Sequence, residues 1–222
     1  MELPRPWSEE PAMMKQLQLE QFLDQLASNE ATPGGGSAAA LMGAMGAALV
    51  SMVANLTIDK PKYAEVREEI EGVLRHSENL RIKLTKAMQN DVNAYHTVMA
   101  AYAMPKDTEQ QKSERSEAIQ NALKLATDAP LSCARLALEV MPLARRVAEI
   151  GNVNAIADSS VAAIAAHAAL RSAVLNILVN TSAIHDKDFN KPHIAEAEHL
   201  LARGAALETA IFNMVKRKII TG

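Results

Sequence analysis

Asp91 stands in "MQNDVNAYHTV", with Met88, Val92, Tyr95 and Met99 around it. On a helix, apolar neighbours at these spacings turn a carboxyl away from water. Burial penalises the charged form, so such a group can give or take a proton near neutrality. The plainer alternative is a partly exposed helix aspartate. Tyr95, four residues on, shares the same face. A second candidate is "TPGGGSAAALMG", where Gly34, Gly35 and Gly36 open at Ser37 into a run of small residues. A glycine turn at a helix start leaves backbone N–H groups free for an anion. It serves equally as a turn that lets helices pack. The spacing and lysine of a P-loop are missing, and the turn follows a helix rather than a strand, so neither the P-loop nor the dinucleotide fingerprint applies.

The other polar residues carry weaker signals. Lys60 and Lys62 flank Pro61 beside Tyr63, a pair of cations for a carboxylate or phosphate, or simply a solvated turn. Asp158 follows "GNVNAIA", where an aspartate is an ordinary first-turn residue. Asn176 and Asn180 stand four apart in the apolar "AVLNILVNTSA" and need partners, from another helix or from a ligand. The six histidines are scattered, with no H-E-x-x-H, and there is no G-x-S-x-G elbow. Metal catalysis and a serine nucleophile are therefore unsupported.

These residues need elements to hold them. Alanine, leucine, methionine and valine dominate a chain that is 49% hydrophobic and only 3% aromatic, which favours helix over strand. The periodicity predicts helices over about 14–27, 37–56, 63–103, 109–127, 130–150, 158–180 and 192–219, after an arm at 1–13. Ser37 is expected to cap the second, and Gly72 is the natural place for a break in the third. Thr108 with Gln111 behind it reads as a helix start. Pro142 should kink or divide its helix, and Pro192 suits a first turn. No window alternates long enough for a strand. The expected fold is all-α, one domain (14–222), a bundle of about six to eight helices.

Composition narrows the function further. A net charge of −3 argues against general affinity for nucleic acid or anionic membrane. From Ser37 to Thr57 there is no charge, long enough to cross a bilayer, but alanine and glycine dominate and anchoring residues are missing. A buried core helix is the better reading. Cys133 is the single cysteine, the N-terminus has no basic-then-apolar signal, and a reducing, cytoplasmic setting fits.

In order and separation, "FLDQLASNEATPGGGSAAALMGAMGAALVSMVANLT", "DKPKY", "NDVNAYHTVMAAYAMPKDT", "GNVNAIADSSVAA" and "LNILVNTSAI" resemble the cyclodeaminase/cyclohydrolase domain of the formiminotransferase-cyclodeaminase family. The resemblance spans about 17–215. It implies an all-helical homodimer that binds a tetrahydrofolate substrate in a cleft near the subunit contact, with no bound cofactor or metal. It also implies chemistry at 5,10-methenyltetrahydrofolate. The leading expectation is closure of 5-formiminotetrahydrofolate with loss of ammonia, fed by a separate formiminotransferase. The alternative is opening of the methenyl compound by water to 10-formyltetrahydrofolate. A further rival is a helical binding module of the same fold without catalysis.

By this resemblance Asp91 falls on the acid/base. Gly34, Gly35, Gly36 and Ser37 match the glycine loop, Lys60 a basic position, and Asp158 and Asn180 recurring polar positions; Tyr95 joins them as a neighbour of Asp91. Pro61 stands where bifunctional members tend to carry a second basic residue.

Overall fold

The computed structural model describes residues 18–221, so the arm at 1–13 and the first helical turn expected from Met14 lie outside it. Six helices and no strand occur among the described residues: α1 (Leu19–Leu26), α2 (Gly35–Ile58), α3 (Arg67–Tyr102), α4 (Glu109–Ile150), α5 (Ile156–Ala183) and α6 (Lys187–Thr221). Short 3₁₀ turns, Pro61–Val66 and Val153–Ala155, join α2 to α3 and α4 to α5. One apolar core runs through all six helices.

α2 is the centre of the bundle. It packs along α3 and α5 and touches α4. Ala39, Ala40, Ala47, Val50, Val53 and Ala54 are almost wholly buried, which is why its sequence is apolar on nearly every side. Small residues let the neighbours come close. A Cβ added at Gly46 would lie 2.9 Å from the Ala162 carbonyl of α5. α3 and α5 both run antiparallel to α2. Ser51 meets Ser77 of α3 at 2.8 Å, and Asn152, just before α5, donates its N–H to Thr57 Oγ1 at 2.9 Å.

Four local expectations need correction. Ser37 does not cap α2. Gly34 takes that place, and Ser37 lies inside the first turn with its hydroxyl directed at α3. α3 continues through Gly72, because the buried stripe of Ile70, Val73, Ser77, Leu80 and Leu84 is packed on both sides of it. α4 is one helix of 42 residues, carrying both Pro130 and Pro142. Pro130 removes an N–H that would have met the Ala126 carbonyl; Asn180 Nδ2 of α5 donates to that carbonyl at 3.1 Å instead. Pro142 lies on the exposed side, while its neighbour Met141 is fully buried and anchors the helix there. Finally, α6 begins at Lys187, so Pro192 falls in its second turn. The Asp186 carboxylate accepts from the N–H groups of Asp188 and Phe189 and fixes this earlier start. The Thr108–Gln111 start of α4 is as expected, with side chain and backbone paired in both directions.

Candidate active site

The first turn of α2 meets the last third of α3. Ser37 Oγ donates to Asp91 Oδ2 at 2.9 Å and lies 3.2 Å from the Met88 carbonyl. The backbone N–H of Ser37, among those a helix start leaves without an intrahelical partner, also favours the charged carboxyl. Gly36 makes the approach feasible. A Cβ there would fall inside the Asp91 carboxyl, striking Oδ1 first.

Beside this contact is a small cavity of about 10 Å³, lined by Gly36, Ala87, Asp91, Ala129, Pro130, Cys133 and Ala173. That is room for about one water. Burial raises the Asp91 carboxyl above the ordinary carboxylate range, and the two Ser37 donors pull the other way. Burial, then the negative charge of Asp91, pushes the Cys133 thiol up to about 12. The thiol therefore stays protonated near neutral pH and offers no nucleophile. The site thus presents a carboxyl of raised proton affinity facing a hole the size of water, an arrangement suited to proton transfer.

The other predicted residues divide into two groups. Tyr95 lies one turn beyond Asp91, 37% exposed, with its ring edge-on to His96. Gly34 and Gly35 stand at the accessible mouth of the turn. Asn180 is on the same end of the bundle, half-buried, and its amide is engaged with the Ala126 carbonyl. Lys60 and Asp158 are elsewhere. Lys60 follows the C-terminal end of α2, and Asp158 lies in the first turn of α5, antiparallel beside it. From Ser37 to Ile58, two residues before Lys60, the helix rise alone is about 32 Å. Within one chain, then, Asp91 and Lys60 do not share a pocket. Cys133, Ala129 and Pro130 were not legible as lining residues. A proline beside a cysteine inside a long helical run was the available signal.

Residues 18–199 match the Formiminotransferase-cyclodeaminase family over most of the chain. The chain belongs to this family. It is 52% identical over 201 residues to a methenyltetrahydrofolate cyclohydrolase of Methylorubrum extorquens, covering 90% of this chain and 97% of that protein. It is 29% identical to the formimidoyltransferase-cyclodeaminase of Rattus norvegicus over 78% of its own length, but spans only 32% of that longer protein. A crystal structure of formiminotetrahydrofolate cyclodeaminase from Thermotoga maritima superposes with a TM-score of 0.82 at 32% identity, covering 92% of this chain and 98% of that one. Within the formiminotransferase-cyclodeaminase family this chain thus resembles members of its own length end to end, and the bifunctional members over one part only.

Proposed function

We propose that this chain is a methenyltetrahydrofolate cyclohydrolase, converting 5,10-methenyltetrahydrofolate and water to 10-formyltetrahydrofolate. The order of the two readings taken from the sequence is thereby reversed. The observation that carries it is the near end-to-end match, at 52% identity, to a protein of that name.

The site suits the reaction. The methenyl carbon lies between two nitrogens that share a positive charge, so it is already electrophilic and needs no metal or bound cofactor. Water adds to that carbon and gives one proton to Asp91, forming a neutral carbinol bridge. Asp91 returns the proton to N5 as the C–N5 bond breaks. The carbinol hydroxyl loses its proton to solvent as the formyl group forms on N10. One carboxyl thus serves as base and then acid. The glycine turn lets the backbone lie close to the substrate, which orients the bridge over the carboxyl.

The second reading is cyclodeaminase, favoured by the likeness to the Thermotoga maritima structure. There N10 attacks the formimino carbon, and Asp91 protonates the departing nitrogen. A separate formiminotransferase would then supply the substrate.

The reading includes a cytoplasmic homodimer. α4 packs against both α2 and α5. Met45, Met52 and Leu56 of α2, with Val161, Ile164 and Leu175 of α5, remain exposed. Exposed apolar side chains on two neighbouring helices are suited to an isologous contact. Since α2 and α5 run antiparallel, a two-fold axis across them would bring the Lys60–Asp158 end of one subunit towards Asp91 of the other.

Absorbance at the methenyl band, with each substrate in its own cuvette, tests the reaction. A fall with 5,10-methenyltetrahydrofolate above the buffer rate supports the cyclohydrolase. A rise with 5-formiminotetrahydrofolate, together with ammonia, transfers the chain to the second reading. Silence in both from folded protein sinks both.

A further inference from the structure

We propose that Ser37 is a positioning residue for Asp91, its hydroxyl occupying Oδ2 so that Oδ1 is the oxygen that takes and returns the proton. This rests on the reading of Asp91 as the acid/base, and it assigns Ser37 a role behind the carboxyl rather than on the substrate.

Three observations lead there. Ser37 is fully buried, so water does not compete for its hydroxyl. Its Oγ has two acceptors within reach, Asp91 Oδ2 at 2.9 Å and the Met88 carbonyl at 3.2 Å. The Met88 carbonyl lies inside α3 and already serves that helix, so the carboxylate is the stronger acceptor while it is charged. Lastly, Oδ1 is the carboxyl atom lying over the bare Cα of Gly36, and Gly36 and Asp91 together line the water-sized cavity.

The chemistry of a carboxyl does the rest. In the protonated form one oxygen is a carbonyl and accepts well; the other carries the hydrogen and accepts poorly. A donor fixed at Oδ2 makes Oδ2 the carbonyl and puts the hydrogen on Oδ1. The hydroxyl also stabilises the charged form against burial. It therefore sets the pH range over which Asp91 changes state. Without it, the carboxyl would hold its proton more firmly.

The test follows Asp91 directly, by carbon-13 NMR of its carboxyl in the full-length protein, with Asp91→Asn to assign the signal. Ser37→Ala removes one oxygen and adds nothing to the packing. It should raise the Asp91 midpoint by about one pH unit, a tenfold gain in proton affinity. The acid limb of kcat for methenyltetrahydrofolate opening should move up in step, with KM nearly unchanged. Ser37→Thr keeps the hydroxyl and should return both towards the original values. An unchanged Asp91 midpoint in folded Ser37→Ala overturns the proposal. A midpoint that shifts as expected in a protein without methenyl-opening activity supports the role of Ser37 and removes the proposed reaction.

Discussion

Asp91 has two duties that pull against each other. It accepts the Ser37 hydroxyl at the start of α2, and it is proposed to carry the reaction's proton. Asp91→Asn separates them, because an amide oxygen still accepts from Ser37 but the group no longer titrates. The variant should stay folded and lose about a thousandfold in kcat, measured by the methenyl absorbance assay. It should also melt higher than the parent at pH 7. The carboxyl is raised in the folded state by burial, so folded chain binds this proton more tightly than unfolded chain. Its contribution to stability is complete below the unfolded value, about 3.9, and is lost as pH rises through the folded value. The difference in Tm between parent and variant should therefore close as pH falls towards that lower limit. Gly36→Ala tests the geometry from the other side. Its Cβ would displace the carboxyl, and misplacement of about 1 Å costs about a hundredfold in rate. Alanine suits a helical first turn, so circular dichroism should be unchanged while kcat falls.

At the scale of the helices, α4 passes Pro130 unbroken because α5 supplies the missing donor. Asn180→Ala should leave the Ala126 carbonyl without its partner, at a cost of about 1–3 kcal/mol in denaturant unfolding. Pro130→Ala restores an N–H to that carbonyl. In the double variant the loss from Asn180→Ala should be much smaller, and a double-mutant cycle reads the coupling. The same pair marks the limit of what the sequence makes legible. α2 could be read as a core helix because alanine and glycine dominate it and no charge interrupts it from Ser37 to Thr57. The Thr108 start could be read because its partner is three residues away. Asn180 is fifty residues from Pro130 in the chain, and its hydrogen bond exists only once α4 and α5 have packed. Likewise Ser37 looks like a local cap, whereas its partner Asp91 comes from the next helix. The resemblance grouped Lys60 and Asp158 with Asp91, but motif order carries no distance, and the length of α2 holds them apart.

That separation is a property of the whole molecule. If the site is completed across a homodimer, subunits with Asp91→Asn and subunits with Lys60→Ala, each impaired alone, should complement on mixing. Random exchange would restore one intact site in half of the dimers, about a quarter of parental turnover. No recovery in dimers shown by mass spectrometry to be mixed would place Lys60 outside the site. The distribution of sulfur carries a different consequence. Cys133, at the cavity, is buried and its thiol is held up at about 12, so almost none is present as the thiolate that peroxide attacks. Met45 and Met52 stand exposed along the open face of α2, where sulfoxide would make an apolar surface polar. Oxidants would thus reach these methionines of α2 long before the Cys133 thiol beside Asp91.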